Sequence, residues 1–208
     1  MARRLRDYPQ VGVRIEDLAA PLDFEKIFGR TAAVHIEIGS GKGTFLLGQG
    51  RARPDVNFLG IEWARKYYLY AVDRIGRWGL TNVKFIRTDA VDFIVRFIGD
   101  RSVACYHIYY PDPWPKRRHH KRRFICARNL EHFIRTLSSG GTIQIATDHA
   151  GYFEQIKKVL TEYGDALEPT DFTPAATAEP GEIVATNYER KYSRENRDVY
   201  TIAVKRIG

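Results

Sequence analysis

Residues Tyr109-Tyr110-Pro111-Asp112-Pro113-Trp114-Pro115-Lys116 place a carboxylate and three aromatic rings in one eight-residue stretch. Three prolines in five residues fix φ and stiffen the backbone, so Asp112 is expected to be held in one position. Pro-Asp-Pro also occurs in ordinary turns. A turn alone explains neither Trp114 nor the run that follows, in which Lys116, Arg117, Arg118, Lys121, Arg122 and Arg123 fall within eight residues and are interleaved with His119 and His120. Aromatic faces stack on an extruded base, and cations hold the phosphates beside it. The combination points to a nucleic-acid base as the acceptor, with Asp112 at the reacting centre.

A second constellation lies upstream. Gly39, Gly41 and Gly43 alternate with Ser40 and Lys42 directly after an apolar stretch. Missing side chains let a backbone turn approach a ligand closely, and a tight structural turn uses glycine for the same reason. The spacing is G-x-G-x-G. It differs from the G-x-G-x-x-G of dinucleotide-binding folds, and no phosphate-cradling lysine motif accompanies it. The ligand implied is S-adenosyl-L-methionine rather than NAD or ATP. Carboxylates then recur at successive strand ends: Glu37 beside the glycine loop, Glu62 about 20 residues on, Asp89 and Asp112. Glu62 is placed to accept hydrogen bonds from ribose hydroxyls, and a helix-terminus carboxylate remains the alternative. Asp89 would lie beside the adenine.

These residues need elements that bring them to one edge of a sheet. The segment Leu22–Gly29 reads as a short amphipathic helix, and Ala33–Ile38, Asn57–Glu62, Val83–Arg87, Val103–Tyr109 and Thr142–Ala146 read as strands. Between and after them come a helix starting at Thr44 and helical stretches over Ala64–Trp78, Val91–Phe97, Ile125–Leu137 and Gly151–Tyr163, with Gly79 closing the second of these. Strands alternating with helices indicate a parallel sheet covered on both faces. Beyond a Pro/Thr/Ala-rich loop, Ile183–Thr186 and Val199–Lys205 read as a hairpin-like finish. The expected architecture is a Rossmann-like α/β fold with a mostly parallel seven-stranded sheet. One domain is expected over residues 1–208, with residues 1–21 as a basic arm.

Composition narrows the class further. The 208 residues, 44% hydrophobic, suffice for one α/β core but not two full domains. Net charge is +8, which favours phosphate polymers as partners. Cys105 and Cys126 show no paired spacing, so reduced core thiols are expected. No apolar segment has the form of a secretory signal or the roughly 20 residues of a bilayer span, so a soluble cytoplasmic protein without a membrane partner is expected. His35 and His107 alternate within strands as core residues, His119 and His120 are phosphate neighbours, and no metal is expected.

Taken in order, Glu37 to Gly43, Gly60-Ile61-Glu62, Asp89-Ala90, Pro111 to Lys116 with Arg118, His119, Lys121, Arg122 and Arg123, Thr147-Asp148, and Thr186-Asn187-Tyr188-Glu189 with Lys191 resemble the motifs of the bacterial tRNA (guanine-N7-)-methyltransferase family. The likeness runs from about Val34 to Lys205. It implies that Glu37, Gly39, Gly41, Gly43, Glu62, Asp89, Ala90 and Asp112 surround S-adenosyl-L-methionine, with Asp112 catalytic. It further implies that Lys116, Arg118, Lys121, Arg122, Asp148, Thr186, Asn187, Tyr188 and Glu189 meet the tRNA, and that the target is guanine 46 of the variable loop. Two features depart from the family pattern: Ser40 stands where a bulky residue is usual, and no glycine occurs near Glu195-Asn196. A monomer or a homodimer is expected.

Guanine N7 carries a free lone pair, so methyl transfer to it needs no base to remove a proton first. A carboxylate near the purine would offset the positive charge arriving with the methyl group. Asp112 is the first candidate for that role, and Asp148 and Glu189 could share in orienting the base. Two other readings stay open. One is an amino-group methyltransferase, whose Asp/Asn-Pro-Pro-aromatic motif is incomplete here because Trp114 follows Pro113 directly. The other is a non-catalytic RNA-binding protein of the same fold.

Overall fold

The computed structural model describes residues 5–192 and 197–208. The departure noted near Glu195-Asn196, and the first four residues of the basic arm, lie outside the described residues. The chain runs β1 (Gly12–Val13), α1 (Phe24–Phe28), β2 (Val34–Ile38), α2 (Thr44–Ala52), β3 (Asn57–Glu62), α3 (Arg65–Trp78), β4 (Val83–Arg87), α4 (Ala90–Phe97), β5 (Val103–Tyr109), α5 (Ala127–Thr136), β6 (Leu137–Thr147), α6 (Ala150–Thr161), β7 (Leu167–Thr170), α7 (Asn187–Tyr192) and β8 (Tyr200–Arg206). A 3-10 segment spans Arg117–Arg122.

All eight strands form one sheet in the order β1-β4-β3-β2-β5-β6-β8-β7. The pairs from β1 to β6 are parallel, and β8 is antiparallel to both β6 and β7. The mostly parallel Rossmann-like arrangement is the one expected, but the sheet has eight strands among the described residues rather than seven, because two strands at its margins were not assigned and one expected strand does not form. β1 has only two residues, too few for a periodic pattern, and borrows its place by pairing Gly12 with Phe85 and Val13 with Ile86. β7 contains Pro169, which a sheet tolerates at its outer edge because a missing N–H there costs no ladder bond.

One expectation is corrected. Ile183–Thr186 forms no strand; the antiparallel strand on the outer side of β8 is instead β7, twelve or more residues earlier. The apolar residues of that stretch pack into the core from a loop, with Val184 and Ala185 buried, and α7 follows immediately. The broad helix expected over Ile125–Leu137 is also shorter, because Leu137 already begins β6.

Side-chain alternation divides the core. Val34, Ile36 and Ile38 of β2 join Tyr106, Ile108, Ile143 and Ile145 in a cluster closed by residues of α1, α4, α5 and α6. On the opposite side Phe58, Val83 and Phe85 pack with α2, α3 and the loop that carries Ala175 and Val184. The N-terminal arm lies along α3 from residue 6 onward: the Arg6 amide donates to Asp73 Oδ1 over 2.9 Å, and the Tyr8 ring covers Gly76 so closely that a Cβ there would come within 2.1 Å of it. Among the described residues no helix is long and apolar enough to cross a membrane.

Candidate active site

Strand order reverses at β2: the chain proceeds to β3 and β4 on one side and to β5 and β6 on the other. A crevice at the carboxyl ends of β2 and β5 is the geometric result. A cavity of about 100 Å³ lies there, walled by Glu37, the Gly39–Lys42 loop, Phe45, Tyr109, Tyr110 and Tyr188, with Thr186 and Asn187 at its margin.

The glycine loop takes left-handed backbone at three positions, with φ of 71° at Gly39, 54° at Gly41 and 68° at Gly43. The three do not serve the same end. A Cβ on Gly39 would meet nothing within 4 Å, and one on Gly41 only the Gly39 carbonyl at 3.9 Å, so this backbone faces open space in the cleft. A Cβ on Gly43 would stand 2.8 Å from Phe85 Cζ and 3.1 Å from Ala71 Cβ. Gly43 is therefore needed by the packing of α2 and α3, a reason the sequence reading did not contain.

Glu62 ties that loop to the next strand. Its Oε2 accepts from the Gly41 amide over 2.8 Å, and its Oε1 accepts from the Ala64 amide at the start of α3 over 2.7 Å. The helix-terminus reading is thus realised in the Ala64 bond, while the Gly41 bond adds a bracing of the loop. Each carboxylate oxygen retains acceptor capacity for a ligand hydroxyl. Asp89 caps α4, its Oδ1 accepting from the Asp92 amide over 2.9 Å, and Ala90 is the first residue of that helix.

Glu37 is buried, and its Oε2 has no hydrogen-bond partner. Burial and the neighbouring Glu62 charge push its pKa up to about 8. An unpartnered buried carboxylate oxygen beside side-chain-free backbone is a fit for a ligand with a cationic group.

A second cavity of about 310 Å³ adjoins the first and shares two of its walls, Tyr110 and Tyr188. Its other lining residues include Asp148, Glu189, Tyr192 and Arg197. The rings of Tyr110 and Tyr188 are 4.6 Å apart and those of Tyr188 and Tyr192 are 4.5 Å apart. Asp148 Oδ2 accepts from Tyr188 Oη and pairs with Arg197, both at 3.1 Å. The hydroxyl of Tyr110 is buried with no partner, and burial raises its pKa.

Thr186, Asn187, Tyr188 and Glu189 divide by role. Thr186 Oγ1 accepts from the Glu189 amide over 3.0 Å and so caps α7. Glu189 is buried, and both its oxygens accept backbone amides, from Ile183 over 2.7 Å and Val184 over 3.0 Å. It holds the loop and helix together, leaving Tyr188 as the large exposed ring of the four.

The proline loop is anchored at each end by unusual backbone. Tyr110 and Trp114 have φ of 51° and 43°, a region that costs non-glycine residues of order 1–3 kcal/mol and persists where surroundings hold it. The Tyr110 amide donates to the Ala146 carbonyl over 2.7 Å. Asp112 is exposed and lines neither cavity. Trp114 is half-buried, with Arg122 over its ring at 4.9 Å and His119 edge-on at 5.8 Å. Lys116, Arg118, Lys121 and Arg122 are exposed on the 3-10 segment and its approach, where Arg118 Nε donates to His119 Nε2 over 3.3 Å. Arg123 turns inward instead, its Nε donating to the Pro113 carbonyl over 2.8 Å.

Tyr109, one of the three rings read as candidate stacking faces, is buried at the cavity wall instead, as core packing of a single aromatic would have it. Its hydroxyl is 2.8 Å from His107 Nδ1, and His107 Nε2 is 3.0 Å from His35 Nδ1. Burial lowers the pKa of both histidines, that of His35 to about 4. Cys105 completes the cluster, its ligand-capable sulfur and one nitrogen of each histidine all within 4.8 Å of one another. Sequence spacing hid this set because β2 and β5 are 70 residues apart yet paired in the sheet.

Tyr192 and Arg197 were not anticipated as lining residues. The signal was available in part: Tyr188 and Tyr192 stand four apart, as neighbours on one helix face do, but the stretch was not read as helical.

Comparison with known proteins places these features in a lineage. A family model described as "Putative methyltransferase" matches residues 31–202. The tRNA (guanine-N(7)-)-methyltransferase of Streptococcus thermophilus (strain CNRZ 1066) is 34% identical over 198 residues, 95% of this chain and 92% of the relative. That of Streptococcus pneumoniae (strain 70585) is 32% identical, covering 91% and 89%. Among solved structures, 16S rRNA methyltransferase KamB aligns over 95% of this chain and 98% of its own with a TM-score of 0.67 at 15% identity. A SAM-dependent methyltransferase from Aquifex aeolicus aligns over 88% and 86% with a TM-score of 0.54 at 12% identity. At such identities the two structures establish a shared fold.

Proposed function

Because the chain belongs to the bacterial tRNA (guanine-N7-)-methyltransferase family, we propose that it methylates N7 of a guanine in tRNA, guanine 46 of the variable loop, with S-adenosyl-L-methionine as donor. The observation that carries this reading is the pair of adjoining cavities with Tyr110 and Tyr188 as common walls. One has the features of a donor site and the other those of a site for a flat polar ring.

In the first cavity the unpartnered Glu37 oxygen would receive the donor's ammonium and the open backbone of Gly39 and Gly41 would let it lie close, while Glu62, outside the cavity lining but bonded to the Gly41 amide, would take its ribose hydroxyls. Asp89 and Ala90, at the start of α4 and outside both cavity linings, would flank the adenine. When bound, S-adenosyl-L-methionine supplies a methyl carbon that the N7 lone pair takes while the carbon–sulfur pair stays on sulfur. In the second cavity Tyr188 and Tyr192 offer stacking faces, and Asp148 accepts from the N–H groups on the opposite edge of the guanine. Glu189 fixes the loop that carries Tyr188. Asp112 lines neither cavity; held by the flanking prolines and by Arg123 through Pro113, it would offer negative charge to the purine as it becomes cationic once the nucleotide lies against the proline loop. Lys116, Arg118, Lys121 and Arg122 grip phosphates next to the extruded base. The reaction belongs to the cytoplasm, where tRNA is matured.

The test is product identification. Purified protein, S-adenosyl-L-methionine and unmodified tRNA transcript should give 7-methylguanosine on nucleoside mass spectrometry. A methylated exocyclic amine in its place would favour the amino-group methyltransferase, and tRNA binding without any product the non-catalytic protein.

A further inference from the structure

Four of the seven large hydrophobic side chains exposed among the described residues lie on a single stretch: Trp63 at 72%, Tyr67 at 42%, Tyr70 at 37% and Trp78 at 53%. All are aromatic. On α3 the spacings 67, 70, 74, 78 put Tyr67, Tyr70, Arg74 and Trp78 on one side of the helix, and Trp63 stands exposed two residues before its first turn. The other side is taken: the arm covers Gly76 with Tyr8 and binds Asp73 through the Arg6 amide. At 1.5 Å per residue the helical part of the row, Tyr67 to Trp78, extends roughly 16 Å.

Cations are interleaved with it. Lys42 Nζ stands 5.6 Å over the Tyr70 ring and the Arg51 guanidinium 4.1 Å over the Trp78 ring. Arg65 and Lys66 are exposed beside Tyr67, and Arg74 bonds Thr44 of α2. The sole carboxylate on α3 is Asp73, which is buried and bound by Arg77 over 2.9 Å. Such a face is cationic with almost no compensating acid, and it is far more aromatic than a solvated helix face needs to be. A positive track set with rings on which bases stack is the chemistry of single-stranded nucleic-acid binding.

Position adds to this. α3 follows β3, whereas the proline loop and its basic run follow β5, and β2 lies between the two strands. Trp63 and the first turn of α3 therefore stand at the carboxyl edge on the β3 side of the cleft and the basic loop on the β5 side, while the row runs from there down the flank of the sheet to Trp78.

We infer that the outer face of α3 is a second RNA-contact surface, on which unpaired bases of the substrate stack while the basic loop holds the backbone beside the target nucleotide. The inference rests on the reading of the substrate as tRNA. It differs from that reading in residues and in consequence: the α3 face sets affinity for RNA and takes no part in the donor site.

The test compares wild type with Tyr67→Ala/Trp78→Ala and Tyr67→Phe/Trp78→Phe, each as the full chain with its thermal midpoint checked. Binding of unmodified tRNA transcript is read by filter retention, S-adenosyl-L-methionine binding by calorimetry, and association state by sedimentation. Loss of stacking at two positions is expected to weaken tRNA affinity by at least about tenfold, with the Phe pair close to wild type and cofactor affinity unchanged in both. Equal tRNA affinity in wild type and the Ala pair overturns the inference. So does an equal loss in the Phe pair, or conversion of a dimer to a monomer with RNA affinity unaltered, which would make the face a contact between two copies. Wild type that binds tRNA through this face yet yields no 7-methylguanosine would sink the proposed reaction and leave the surface standing. Full 7-methylguanosine formation with an indifferent Ala pair would do the reverse.

Discussion

Arg123 reaches from the end of the basic run to the carbonyl of Pro113, its Nε donating over 2.8 Å, while its guanidinium also bonds Gln155 and lies 4.8 Å over the Tyr152 ring. The last cation of a stretch that reads as a phosphate-binding surface is thus the clamp that fixes the proline loop against α6. Arg123→Ala would leave a half-buried carbonyl and the half-buried Gln155 side chain short of partners and is expected to cost about 1–3 kcal/mol of stability. Arg123→Lys cannot reproduce a planar fork and should recover little of it. Thermal denaturation gives the first number; a fall in kcat exceeding the change in tRNA affinity would identify loop placement as the role.

With Glu37 as the proposed acceptor of the donor's ammonium, cofactor binding is expected to depend on pH. Burial pushes its pKa up to about 8 from the ordinary 4.5, so between these values the free folded protein holds a proton that the unfolded chain has lost. The free protein should therefore lose stability as pH rises from about 4.5 to 8. A bound cation requires that proton to leave, so affinity for S-adenosyl-L-methionine should rise as pH climbs towards 8, by up to about tenfold per pH unit, and level off above it. Glu37→Gln should bind weakly, show no such slope from this group, and denature at a higher temperature than wild type at pH 8. Calorimetry across pH decides the matter, and an equal slope in both proteins would refute it.

Asp112 is exposed and so carries little of the fold. Asp112→Ala and Asp112→Asn should both keep the wild-type melting temperature and both lose on the order of 10²-fold or more in single-turnover methylation, if negative charge is what the transition state needs. Retention of full rate by Asn alone would assign the residue to hydrogen bonding instead.

Gly43→Ala combines a φ of 68° with a Cβ 2.8 Å from Phe85 Cζ. A loss of about 2–3 kcal/mol is expected from strain and overpacking together. Measured by denaturant titration, it should exceed the loss at Gly39, where a side chain meets open space.

Exposed cations on the 3-10 segment should give tRNA affinity a steep salt dependence, with a log–log slope of about −0.7 to −0.9 per phosphate contacted. Arg122→Ala is expected to make that slope shallower by roughly one contact. An unchanged slope would remove Arg122 from the phosphate grip.

The sequence determined the core alternation of strands and helices, the glycine loop and the order of acidic strand ends, because each of these is a local pattern: periodicity, backbone freedom, proline rigidity. Glu62 and Gly41 show where local reading stops, since the bond between them spans 21 residues and exists because β2 and β3 are paired. The same limit hid the meeting of His35 with His107, the inward turn of Arg123 and the burial of Tyr109 and Glu189. Whether a charged or aromatic residue faces water, a ligand or the interior is decided by elements brought alongside it from far along the chain. Residue type tells which chemistry a side chain is capable of; only the packed sheet selected which of them open into the cleft.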